Sequence, residues 1–467
     1  MPSVISDMGR RSVSRVRRNT PLPTDRSLTP ERTTTSERFL LMATVILFPL
    51  QNHLPAIAGA SILFLLFAVL LGYTILYRSQ ALATMARRPV FLSAFVLLAV
   101  AFLIESGHPD AAYILIFQMG QMIIGAIVIA VICRDEAALQ MVAYGYLIAG
   151  VWMSLLLLFT SYSTLSGATA MSFQEAQNIR VQAFEEKTLE ANLNFMGFVA
   201  AQGTVVALVL AITSRSFQRC LFFLGLAVLC FVATFLPMSR TAALIVVLTS
   251  AVILLISRVN RIRLLMIAIL LGVTLLAAVP GVVFSRLTFT TETNLRGKQE
   301  SRAHLYATAL KLLPEYFLTG VGAGNYWNSW GVRKGFTQQS TGQVKTYTGL
   351  QRPKGPKGPH SWYFAVTIYW GLAGLLALIV FVYQAYRCLP RQCGASPLSL
   401  CILGIVLSVF LLMFVSHTLN AKGVSLALGL LAAARYWIWP EGMVLPQPWG
   451  YRRIVTSVNP AGAFEKT

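Results

Sequence analysis

An arginine that interrupts an apolar stretch must find an anion, because a guanidinium cannot shed its charge and placing it within a membrane span costs roughly 2.5–3.5 kcal/mol. Arg240 is such a residue, set in PMSRTAAL between two apolar runs with scarcely any loop. It reads as a phosphate clamp, or as a side chain that reaches out to lipid headgroups. A second arginine lies in GKQESRAHLYATALKLLPEY, where Arg302, Leu305, Ala309 and Leu313 recur at spacings of three and four and share one helix face. A planar fork of five donors held on an apolar stripe suits a pyrophosphate better than a lysine would. The alternative is an ordinary helix-surface arginine. His360 closes the basic stretch QRPKGPKGPH and opens the next apolar run. A neutral imidazole at an interface can take a proton from an alcohol near neutral pH, although a cap or interface residue is the other reading.

The elements that must position these side chains are membrane helices. The chain has 467 residues, is 56% hydrophobic and only 12% charged, and has a mean hydropathy of +0.66. A soluble enzyme carries roughly a quarter of charged residues, so the solvent for this chain is lipid. Its apolar blocks run to about 17–25 residues, the length a helix needs to cross a hydrocarbon core, and they do not alternate as barrel strands do. The expected spans lie near 39–51, 55–77, 89–105, 111–132, 138–160, 191–213, 220–237, 241–257, 263–283, 361–386, 398–417 and 422–439. The first is short, and with Pro49 and Pro55 close by it also reads as half of a broken pair.

Sorting the formal charge of +21 by membrane side sets the topology. Alternate short loops hold Arg78, Arg87 and Arg88, then Arg134, then Arg215 and Arg219, then Arg258, Arg261 and Arg263, then Arg387 and Arg391. The opposite turns contribute only Arg240 and Lys422, so both termini are expected to be cytoplasmic. Residues 1–38, rich in Arg, Pro, Ser and Thr, read as a disordered basic tail rather than a cleaved leader. The remaining divisions are helices over 39–283, a large loop over 284–360, helices over 361–439 and a second cytoplasmic tail over 440–467. Residues 161–190, with Glu185, Glu186 and Glu190, and the loop 284–360 both face outward, and the basic excess of the second makes a positive field suited to an anionic ligand. All five histidines fall on that outward side: His53, His108, His304, His360 and His417.

Other features carry less chemistry. The six cysteines fall in spans or cytoplasmic loops, and Cys388 and Cys393 lack the further ligands a metal site needs. LTGVGAGNYW, with Gly320, Gly322 and Gly324, follows no strand and reads as a helix stop and turn. Asn192 and Asn194 read as loop and cap residues.

The two arginines, the glycine turn and the histidine, in this order on this topology, resemble the superfamily of O-antigen ligases and polymerases, which act on lipid-linked glycans. The nearest pattern is that of the ligase: His, then Asn, Ser or Gln, nine residues, Gly, two residues and Gly. Here it is HSWYFAVTIYWGLAG, from His360 and Ser361 to Gly371 and Gly374. The similarity covers about residues 190–385, and the first five spans match only in hydropathy.

The resemblance implies an all-α membrane protein of about twelve helices, of the GT-C type, with a large helical periplasmic loop. It implies transfer of a glycan from undecaprenyl pyrophosphate to lipid A-core at the periplasmic face of the inner membrane, with inversion and with no metal or cofactor. Arg240 and Arg302 would hold the pyrophosphate, and His360 would serve as base or position the acceptor. The partners implied are the lipid-linked donor, lipid A-core and membrane lipids, with no nucleic acid. Elementary chemistry agrees, since the leaving group is already good and what remains is orientation, charge neutralisation and deprotonation of the acceptor. Polymerases and protein oligosaccharyltransferases share much of the pattern and stay open as alternatives. A transporter would bring two similar halves and ionisable residues near the midplane, and neither is seen. A noncatalytic assembly partner would tolerate substitution at His360.

Overall fold

The computed structural model describes residues 32–48, 56–57, 60–107, 113–169, 173–185, 193–257, 261–288, 310, 313–326, 361–390, 396–415 and 421–439. Apart from turns and one antiparallel pair of two-residue strands, Ala56–Ile57 with Ala60–Ser61, these residues are helical. Among them, seven helices are long and apolar enough to cross a membrane, and a bent pair makes an eighth. The chain is a multi-pass membrane protein.

The first helices depart most from expectation. Helix α1 spans Thr35–Leu47 and so begins inside the stretch expected as tail. A capping box starts it there: the Thr34 hydroxyl accepts from the Glu37 amide and the Glu37 carboxylate from the Thr34 amide, satisfying two first-turn donors. Helix α2, Ile62–Tyr77, starts later than the expected 55 because the strand pair precedes it. The chain then turns by 103° at Arg78 into α3, Ser79–Ala86. Helices α4 (Pro89–Ser106) and α5 (Tyr113–Ile132) follow closely the spans expected there.

Helix α6, Glu136–Ser166, runs well past the expected end at 160. At 1.5 Å per residue its length is about 46 Å, against a hydrocarbon core of about 30 Å, so its polar end SYSTLS stands clear of the apolar layer. The stretch 161–190 is therefore not a simple loop: it holds this end and a further amphipathic helix, α7 (Phe173–Glu185), packed on α6. Then come α8 (Leu193–Thr213), α9 (Phe217–Phe235), α10 (Arg240–Ile256) and α11 (Arg261–Ala278). The expected span 263–283 ends early because Pro280 interrupts it, and α12, Gly281–Thr288, packs back on α7. The last helices are α13 (Trp362–Arg387), α14 (Pro397–Val415) and α15 (Ala421–Ala433), the last passing into a π-helical turn, Ala434–Ile438.

The bundle is built around α8, which packs on α6, α9, α10 and α14. Lipid offers no hydrophobic drive to bring helices together, so close approach depends on small residues. At the α6–α8 crossing Gly150 meets Gly203, and a Cβ on either would overlap the other's backbone. Gly404 of α14 fits against Val205 in the same way, and Gly429 of α15 meets the Ala126 carbonyl and Ile129 of α5.

One end of the bundle is rich in arginine. There Arg38 pairs with Asp135 at 2.8 Å and Arg78 with Glu37 at 3.3 Å, the second pair almost wholly enclosed. Arg134 and Arg88 lie 5.4 and 4.8 Å from the ring centroids of Trp437 and Tyr436, and Trp439 donates to Glu136. The first and last described helices are thereby fastened to the same end. Arg240 lies at the other.

Candidate functional site

The turn that delivers Arg240 is tight and buried. Helix α9 ends at Phe235, and Leu236, Pro237, Met238 and Ser239 reverse the chain. Met238 is fully buried and takes a φ of 52°, a conformation a side chain tolerates only where its surroundings enforce it. Its amide bonds the Phe235 carbonyl at 2.8 Å, and the Ser239 hydroxyl caps α10 by accepting from the Ala242 amide. The Pro237 carbonyl accepts from Arg180 Nε at 2.7 Å, and the same guanidinium donates to Asn194 Oδ1 at 3.1 Å. Helix α7 thus clamps the turn from outside. Arg240 is exposed at the first residue of α10, where the positive pole of the helix and its own charge add.

The second part of the site is a broken helix. Ser361 caps α13, its hydroxyl accepting from the Phe364 amide, which is a physical reason for a small polar residue after the histidine. Ten residues on, Gly371 takes φ 59° and ψ −153°, a region open to glycine alone, and the helix breaks. The glycine turn fills that break. Val321 and Gly322 donate their amides to the carbonyls of Ile368 and Tyr369 at 3.0 and 2.8 Å, and a Cβ on Gly371 would lie 2.6 Å from the Gly320 nitrogen. Gly320 and Gly322 have φ of 75° and 76°, and the Gly320 amide caps the preceding turn at the Tyr316 carbonyl.

Behind the turn lies Glu105, the last acidic residue of α4 and fully buried. Its Oε1 accepts from the Ala323 amide at 2.5 Å and from Trp370 Nε1 at 3.0 Å, and its Oε2 from the Gly324 amide at 3.5 Å. Tyr326 closes the turn against Tyr369, with ring centroids 5.4 Å apart. Burial pushes the Tyr326 hydroxyl up to about 12, so it stays protonated at any physiological pH.

The helix registers put the two parts at one height. Gly197 of α8 lies beside Ala242 of α10, Gln202 bonds Ser408 of α14 at 3.4 Å, and Tyr363 of α13 bonds the Phe410 carbonyl at 3.5 Å and stacks on Phe414 at 4.4 Å. Gln202 lies about 7 Å below Gly197, whereas Phe410 and Phe414 lie about 3 and 9 Å above Ser408. Ala242 and Tyr363 are therefore within about 5 Å of one level. Arg240 and Ser361 share the same end of the bundle. Arg302 and His360 lie outside the described residues, as do the other four histidines, Glu186, Glu190 and Asn192.

Residues 225–379 match a family model described as O-antigen ligase. That segment belongs to the O-antigen ligase and polymerase superfamily. None of the curated proteins matches the chain. The matched segment contains Arg240, Arg302, His360 and the stretch from the glycine turn to the break in α13. It leaves out two side chains that the fold brings to the site and that sequence reasoning passed over, Glu105 and Arg180. Glu105 had a signal, being the lone carboxylate of an otherwise apolar helix. Arg180 had a fainter one, since buried Ala176 and Ala183 and half-buried Ile179 mark an amphipathic helix beside it.

Proposed function

We propose that the chain is an O-antigen ligase that moves a finished glycan from undecaprenyl pyrophosphate to a sugar of lipid A-core. The full architecture in this reading is a GT-C type bundle of about twelve helices, with a basic tail before α1, a large loop between α12 and α13 and a second tail after 439. Both termini lie in the cytoplasm, and the site opens on the periplasmic face of the inner membrane. The observation that carries it is the common height of Arg240 and of the Ser361 cap, within a segment that matches the ligase family.

In this mechanism Arg240 and Arg302 bind the diphosphate and offset charge as it develops on the departing oxygen. An acceptor hydroxyl attacks the anomeric carbon from the face opposite the pyrophosphate. The new glycosidic bond forms as the bond from that carbon to the phosphate oxygen breaks, inverting the centre. The hydroxyl proton passes to His360, and undecaprenyl pyrophosphate leaves with the electron pair. The arginines supply the charge neutralisation that this reading requires, without a metal or cofactor.

The test is replacement of His360 by Ala in the native host, followed by analysis of both lipopolysaccharide and the undecaprenyl-linked pool. Bare lipid A-core together with accumulated long lipid-linked chains is the expected result. Single-repeat glycans would instead mark a polymerase, an unglycosylated protein with normal lipopolysaccharide would mark a protein oligosaccharyltransferase, and unchanged glycans would remove His360 from the reaction.

A further inference from the structure

We propose that Glu105 is a positioning residue of the transfer site: its buried carboxylate fastens the glycine turn to the broken helix and so fixes the direction of the half-helix that begins at Ser361. The inference rests on the transfer reaction proposed above. It starts from the cost of the residue. A carboxylate at the end of a membrane helix is expensive to enclose, and Glu105 is fully enclosed. It is retained with three donors that come from segments 218, 219 and 265 residues away in the chain.

Those donors are placed where a hinge would otherwise be. A helix kinked at a glycine in a conformation open to glycine alone has the direction of its first half set at that one residue, so contacts around the kink decide where the half-helix points. Trp370 is the last residue before that break, and its indole is tied to Glu105. The turn is held on both sides: Val321 and Gly322 donate to α13, and Ala323 and Gly324 donate to Glu105 of α4. One carboxylate therefore joins α4, the turn and the half-helix. Without it two amides and an indole lose their acceptor in a buried place.

Glu105 does not touch the substrate in this account, since Trp370 lies about 13 Å along the half-helix from Ser361. Arg240 is held separately, at the start of α10, after a turn that Arg180 fastens at the Pro237 carbonyl. Loosening Glu105 should misdirect the base and acceptor side while leaving the donor clamp intact, so turnover falls and donor affinity does not.

The experiment uses the full chain in lipid nanodiscs with an undecaprenyl-pyrophosphate-linked glycan as donor and lipid A-core as acceptor. Glu105→Ala is expected to lower kcat by about 30- to 100-fold, the scale of a displacement near 1 Å, with donor KM within about threefold of the parent. Glu105→Gln, which keeps an accepting oxygen, should recover part of the loss. If the Ala variant does not accumulate, Trp370→Phe removes one donor and should lower kcat to a smaller degree with the same unchanged KM. A second readout needs no activity: Val321→Cys in intact spheroplasts should be protected from a membrane-impermeant maleimide, and become labelled when Glu105→Ala is added. Equal protection in both backgrounds, a full kcat in Glu105→Ala, or equal changes in kcat and donor KM would overturn the role. A parent protein that transfers nothing would strike the function proposed above and leave the latch to the labelling result.

Discussion

At the scale of single residues, backbone strain and side-chain donors make separate demands that mutation can tell apart. Gly371→Ala forces a side chain into a conformation costing about 1–3 kcal/mol and drives a Cβ against the Gly320 nitrogen. Its melting temperature in detergent should drop sharply, whereas Gly272→Ala, with nothing within 4 Å of the added Cβ, should be neutral or stabilising by up to about 1 kcal/mol. Comparable melting of the two would show that the break in α13 is not specified by Gly371. Arg240→Lys keeps the charge and loses the fork, so donor KM should rise about tenfold with a smaller change in kcat. Arg180→Ala frees the Pro237 carbonyl and should raise donor KM about threefold through Arg240, without removing a substrate contact. Tyr326, whose hydroxyl burial pushes up to about 12, stays protonated and should add no step to the pH profile of the rate at physiological pH. The glycine turn was legible in sequence because glycines punctuate a chain whatever they pack against. Glu105 and Arg180 were not, because their meaning lies in partners 218 and 57 residues away.

Helices were legible to the degree that length and hydropathy define them. The spans over α4, α5 and α8 follow closely from uninterrupted apolar runs, since lipid demands that length. The expectation failed where a helix answers to something other than lipid. Helix α1 begins early because a capping box and an ion pair hold its start, and α6 overruns because α7 packs on its far end. The break in α13 is hidden from any hydropathy scan, since WYFAVTIYWGLAGLL is apolar throughout. The capped start of α1 gives a prediction of its own. Glu37→Gln leaves Arg78 buried with a neutral partner, which should cost about 3–5 kcal/mol in a melt. As the pair lies at the end opposite Arg240, donor KM in the folded fraction should stay at the parental value. A shifted KM would mean that the two ends are coupled.

For the whole molecule, the bundle sorts its charges by end. Paired and ring-stacked cations tie the first and last described helices together at one face, while at the other a clamped turn presents Arg240 and a broken helix begins at Ser361. The superfamily resemblance was legible because its residues recur at set spacings, and the height shared by Arg240 and Ser361 was not, because it depends on the registers of α8, α10, α13 and α14. The most direct test is an electron cryo-microscopy structure of the protein in nanodiscs with undecaprenyl pyrophosphate bound. The account predicts diphosphate density within hydrogen-bond reach, about 3 Å, of both the Arg240 and Arg302 guanidinium groups, with the His360 imidazole lining the same cavity. Diphosphate bound elsewhere, or His360 facing a different cavity from Arg240, would contradict it.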